Sequence, residues 1–130
     1  MNTVDSIECK AAETYDAICR AVDTLEKLEN ADGYLRIIEK AKKIQGKAEH
    51  AVTRLKSGAS SARTKAKIYV GTDWSAADPL LKNTVFKDIQ RGKKEVERCS
   101  GHLFRHIKKI MKIMEKVDRS LEKQRSRQSN

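Results

Sequence analysis

"VFKDIQRGKKEVERCSGHLFRHIKKIMKIMEKV", residues 85–117, decides the fold. Ile89, Val96, Leu103, Ile110 and Val117 recur every seven residues, and Val85, Gly92, Cys99, His106 and Ile113 form the other half of the same seam. A strand turns alternate residues to opposite faces and would scatter these positions. A helix gathers them into one stripe that winds slowly round its axis. Five heptads exceed the roughly three to four that mark a helix packed along its whole length. Just upstream, Asp78-Pro79 supplies a start: aspartate is a favoured N-cap, and proline fits the first helical position, whose N–H has no partner in any case. The spacing predicts a third helix over 79–123, roughly 65 Å long at 1.5 Å per residue. Residues 125–130, "RSRQSN", read as a frayed polar tail.

The break before that helix, "VGTDWSAAD" at 70–78, holds Gly71 and the only tryptophan, and it reads as a linker. Trp74 is either a plug over the end of the bundle or an anchor for a partner. A second helix is expected over 34–68. Leu35, Ile38, Ala41, Ala48, Val52 and Leu55 give its face, and Ala41, Ala48, Leu55, Ala62 and Tyr69 keep a seven-residue repeat straight through "KSGASS". That continuity argues for one helix, with Gly46 and Gly58 as weak points costing roughly 1 kcal/mol each against alanine. A first helix is expected over 5–29 from Ile7, Ala11, Tyr15, Ile18, Val22, Leu25 and Leu28, with Asp5 and Glu8 in the arrangement of a capping box. "ENADGY" at 29–34 is the turn that follows.

Composition agrees. Of 130 residues 38% are hydrophobic, 35% charged and 5% aromatic, with one proline. Average proteins carry roughly 45–50% apolar and about 25% charged residues. The profile suits slender helices, not a sheet sandwich. The expected fold is all-α: one domain over 1–124, an elongated antiparallel three-helix bundle or coiled coil with a long C-terminal helix. Because the third helix is the longest, its far end is expected to overhang. Ile107, Ile110, Met114, Val117 and Leu121 would then seek a second copy of the chain or a partner helix.

Charge is segregated. Residues 1–34 carry three basic and eight acidic side chains, residues 35–71 ten and two, and residues 72–130 fifteen and eight, for a net charge of +10. The acidic first helix and basic second helix are expected to pair. Arg91, Arg98, Arg105, Lys112 and Arg119 stand seven apart on the third helix, with Lys87, Lys94 and Lys108 beside them. Lys40, Lys47 and Arg54 form a similar row on the second, flanked by Arg36 and Lys43. Rows of one sign repel along a helix unless a polyanion relieves them. Nucleic acid is the first candidate and would be held by its backbone, since no zinc finger, RNP signature or GXXG loop is present. An anionic membrane surface ranks lower, because Phe104 and Met111 are the only apolar residues beside these rows.

Cys99, His102 and His106 fall at i, i+3 and i+7, and Cys9 or Cys19 could complete a tetrahedral zinc set. Cys99 and His106 are also seam positions, where packing explains them, and no C-x-x-C accompanies them. No metal or cofactor is expected. "SGASSARTK" at 57–65 lacks the spacing of a phosphate loop, and a narrow bundle rarely encloses a cleft, so the chain does not read as an enzyme. The expected role is a non-enzymatic scaffold or adaptor module, with polyanion binding as the alternative. No signal peptide or membrane span is legible, and three widely spaced cysteines form no disulfide framework, which suits a cytoplasmic or nuclear protein.

Overall fold

A computed structural model describes residues 2–128 and contains three helices: α1 (Asn2–Glu26), α2 (Leu35–Gly71) and α3 (Pro79–Gln128). A 3-10 turn over Ala31–Tyr34 joins the first two, and there is no strand among the described residues. The fold is the expected all-α bundle with a long C-terminal helix. α2 runs unbroken through residues 57–61, as its heptads require. Asp78 accepts a hydrogen bond from the Leu80 amide at 2.9 Å and so caps α3 ahead of Pro79.

Four contacts set an antiparallel register. Lys42 on α2 meets Glu26 near the end of α1, and Arg63 far along α2 grips Asp5 and Glu8 near its start. The Tyr34 hydroxyl donates to Ser120 Oγ at 2.9 Å, and Lys65 faces Asp88 at 3.6 Å. The acidic first helix therefore spends part of its charge on the basic second helix. The core beneath joins Ile18, Val22 and Leu25 of α1 to Leu55 of α2 and to Val96, Leu103, Ile110 and Val117 of α3. Ile44 and Ala51 are buried as well, although neither lies on the repeats read from the sequence, while Leu35 faces solvent.

Several expectations are corrected. α1 begins at Asn2, so Asp5 lies inside its first turn and caps nothing; it and Glu8 both engage Arg63. α3 extends through residues 125–128, which read as a frayed tail; 129 and 130 lie outside the described residues. The apolar overhang is also absent from the far end of α3. Ile110 and Val117 are fully buried, and Ile107, Met114 and Leu121 pack against the core, because α1 and the Tyr34 turn cover that end. The bundle instead overhangs at its other end. α2 runs eight residues past Arg63, roughly 12 Å, and α3 begins beside it, while only the first residues of α1, up to Asp5, lie along that stretch.

α2 and α3 touch most closely at Gly58 and Gly92. A Cβ built on Gly92 would stand 2.7 Å from the Gly58 carbonyl oxygen and 2.8 Å from Ala62 Cβ. Both obstacles belong to small or backbone groups that cannot swing away. Gly101, on the same helix, would present a Cβ to open space. Gly92→Ala should therefore lose roughly 1–3 kcal/mol of stability through overpacking, despite the better helix propensity of alanine. Gly101→Ala should gain about 0.5–1 kcal/mol. Thermal melts followed by circular dichroism check both signs.

Candidate polyanion-binding groove

On α2 a buried isoleucine, Ile44, carries lysines at −4, −1 and +3: Lys40, Lys43 and Lys47. On α3 a second buried isoleucine, Ile113, carries the same set: Lys109, Lys112 and Lys116. Positions three and four apart share a helix face, so each triplet lines one flank of its seam residue. Antiparallel packing brings the two flanks together. The six lysines and the two isoleucines line one groove of about 370 Å³ with no acidic side chain in its walls. None of the six lysines makes an ion pair among the described residues.

The groove continues along the helix pair. Next come Lys43, Lys47, His50 and Arg54 on α2, opposite Arg98, Cys99, His102 and His106 on α3. Here too no acid lines the walls. Beyond Arg98 the character changes, because Asp88 and Glu95 enter the lining. Glu95 pairs with Arg98 at 2.7 Å and with Arg54 at 3.3 Å, and Asp88 with Lys65 at 3.6 Å and Arg91 at 3.7 Å. The hydrogen bond from Arg98 is the largest cause holding the Glu95 carboxyl below its usual range. Positive charge is thus compensated at the Gly58–Gly92 end and uncompensated from His50 to Lys40.

This map corrects the basic rows. Arg91 and Arg98 are relieved within the helix itself, each by an acid three residues earlier, so the five-membered row of α3 is not uniformly unpaired. Lys40, Lys43, Lys47, Arg54, Lys94 and Lys112 line the groove as well as those two arginines. Arg36, Lys87, Arg105, Lys108 and Arg119 line none of its three stretches; Lys108 lies over the Phe104 ring at 4.4 Å. Lys109, Lys116 and His50 escaped the sequence reading. Their signal was the matching triplet around a core isoleucine, and Ile44 was not recognised as core.

Among the described residues, no three His, Cys, Asp or Glu side chains are arranged to hold a metal ion. Cys99 is buried with its thiol 3.6 Å from Glu95, and Cys19 accepts a hydrogen bond from Gln45 Nε2 at 3.3 Å. Burial pushes the Cys99 thiol pKa up, with Glu95 adding to the shift. That is the reverse of what activates a nucleophilic thiolate. At the other end of the bundle, Trp74 is half-buried, and its indole N–H donates to the Tyr69 carbonyl at 2.7 Å, satisfying one of the last carbonyls of α2.

His106 Nδ1 is buried and has no hydrogen-bond partner among the described residues. Burial and the cations Lys109, Lys47 and Arg105, together with His102, push its pKa below the ordinary 6.5. Between those two values the unfolded chain holds a proton that the folded chain does not. Stability is therefore lost as pH falls through the ordinary histidine range. His106→Gln should flatten the fall in melting temperature between about pH 7.5 and pH 5.5, measured by calorimetry. No protein-family model matches this chain, and no curated protein or solved structure matches it either.

Proposed function

We propose that this chain is a non-enzymatic helical module that holds an extended polyanion, nucleic acid first, in the groove between α2 and α3. The observation that carries the reading is the six-lysine stretch without an acid in its walls. Two facing rows of cations, held apart by a rigid seam, repel each other, and bound phosphates remove that repulsion. From His50 to Lys40 the uncompensated groove spans about 15 Å, along which duplex nucleic acid offers about nine phosphates. The walls present lysines and no stacking aromatic, so contact is with the backbone and insensitive to sequence. The buried, protonated Cys99 supports a binding role over catalysis.

Titration of a labelled oligonucleotide at several salt concentrations tests the reading. With six phosphate contacts the log–log salt slope should lie near −5 for duplex, and affinity should fall about 10³-fold between 50 and 200 mM salt. Lys47→Gln with Lys112→Gln should reduce that slope by about 2, while Arg36→Gln, outside the groove, should leave it unchanged. No binding at about 50 mM salt, where screening is weak, overturns the reading; binding to anionic vesicles alone would reassign the groove to lipid headgroups.

Glu95→Gln provides a test of opposite sign. It releases Arg54 and Arg98 from their shared partner and lengthens the uncompensated groove. Affinity should rise several-fold and the salt slope should steepen by one to two, roughly. A loss of affinity would show that Glu95 organises the groove instead of masking it.

A further inference from the structure

The overhanging end of the α2–α3 hairpin carries a cluster of exposed apolar side chains. Val70 is 84% exposed, Leu80 70% and Leu81 52%, and Ile68 and Phe86 are exposed as well. They stand at or just past the start of α1, whose Asp5 still borders Val70 and Gly71, and there α2 and α3 continue as a pair; Val85 and Ile89, buried there, lie outside the main core cluster. The apex is ordered by its own contacts. Trp74 packs on Tyr69 with ring centroids 5.7 Å apart, and Phe86 lies 6.2 Å from the same tyrosine. A single exposed leucine is unremarkable, but five large apolar residues exposed at one end of a narrow bundle leave that end unusually apolar.

Charge says what covers it. Residues 64–90 carry four lysines and three aspartates, whereas the whole chain carries +10. This end is nearly neutral on a strongly basic molecule, so two copies can meet here with little electrostatic repulsion. Both signs are present, so a two-fold contact between identical surfaces can place lysines opposite aspartates. An anionic bilayer fits less well. The apex would lead with Asp73 and Asp78, and hydrogen bonds from Ser75 hold the Asp73 carboxyl below its usual range and therefore ionised. The helical packing argument agrees. Two overhanging hairpins set side by side make four helices, and each supplies the apolar cover that α1 gives lower down.

We infer that the α2–α3 hairpin end is a self-association surface through which two copies of this chain pair, burying exposed apolar side chains there, Val70 and Leu80 foremost. The inference does not depend on what the lysine groove binds. It relocates self-association from the far end of α3, whose apolar residues are consumed by the core, to the opposite end. Of the residues first expected to mediate it, Trp74 alone lies there.

Sedimentation velocity over about 1 to 100 µM, the range for a modest interface, tests it. The expected species has twice the 14.7 kDa chain mass. Emission from Trp74, the only tryptophan, should shift to shorter wavelength over the same range. Val70→Glu with Leu80→Glu replaces exposed residues, so helicity should be unchanged while the dimer and the emission shift disappear. Met111→Glu, an exposed apolar position far from the hairpin end, should leave the dimer intact. A monomer throughout, a dimer indifferent to the hairpin substitutions, or a dimer lost on Met111→Glu overturns the inference. So does a monomer that sediments with anionic vesicles until Val70 and Leu80 are replaced, which assigns the patch to lipid. The monomeric double variant should keep the salt-dependent oligonucleotide binding of a single groove, so the two readings fail separately.

Discussion

Two glycines set the distance between α2 and α3. With no Cβ at Gly58 or Gly92, and with Ala59 and Ala62 alongside, the two backbones come within contact of each other. Glycine in a helix interior has a conformational cost of roughly 1 kcal/mol, and the seven-residue seam tolerates it here because nothing larger fits. Small residues bury little area, so this crossing positions the helices without contributing much hydrophobic free energy. That free energy comes from the segment where α1 joins them. There Ile18, Val22 and Leu25 complete a core with Leu55, Leu103 and Ile110. The molecule is thus a tight two-helix hairpin whose lower part is thickened by a third helix.

The same geometry sorts the charge. Near the crossing, Glu95 and Asp88 sit among the arginines and neutralise them at short range. The acids of α1 are directed to the other side of α2, where Asp5 and Glu8 hold Arg63 and Glu26 meets Lys42. Exposed pairs of this kind contribute about 0–1 kcal/mol each, so their importance lies in orientation more than stability. What they leave behind is a stretch of groove whose lysines have no acid to meet. A net charge of +10 spread evenly would be ordinary surface; here six of the lysines face one another across a groove between two helices.

The lysine groove and the apolar hairpin end lie toward opposite ends of α3, a helix roughly 75 Å long. Two chains joined at their hairpin ends would hold their grooves on the order of 100 Å apart.

Helix content and the start of α3 were legible because their causes are local, whereas the ends of α1 and the C-terminal end of α3 were not. Asp78-Pro79 starts α3 by chemistry within three residues, and the heptads of α2 carry it through Gly58 and the serines. The lysine triplets around Ile44 and Ile113 were legible too, though only as separate marks on two helices. What the tertiary structure decided is register. Arg63 meets Glu8 across 55 residues and Tyr34 meets Ser120 across 86, and no spacing within a helix predicts either contact. Register chose which end of the bundle overhangs, so Val117 is core, the reverse of what helix lengths alone implied, and Val70 is exposed. It also chose which cations find acids. Arg54 meets Glu95 and Lys65 meets Asp88 only across the groove, where Coulomb energy depends on the distance between helices, whereas Arg91 and Arg98 find Asp88 and Glu95 three residues away on their own helix.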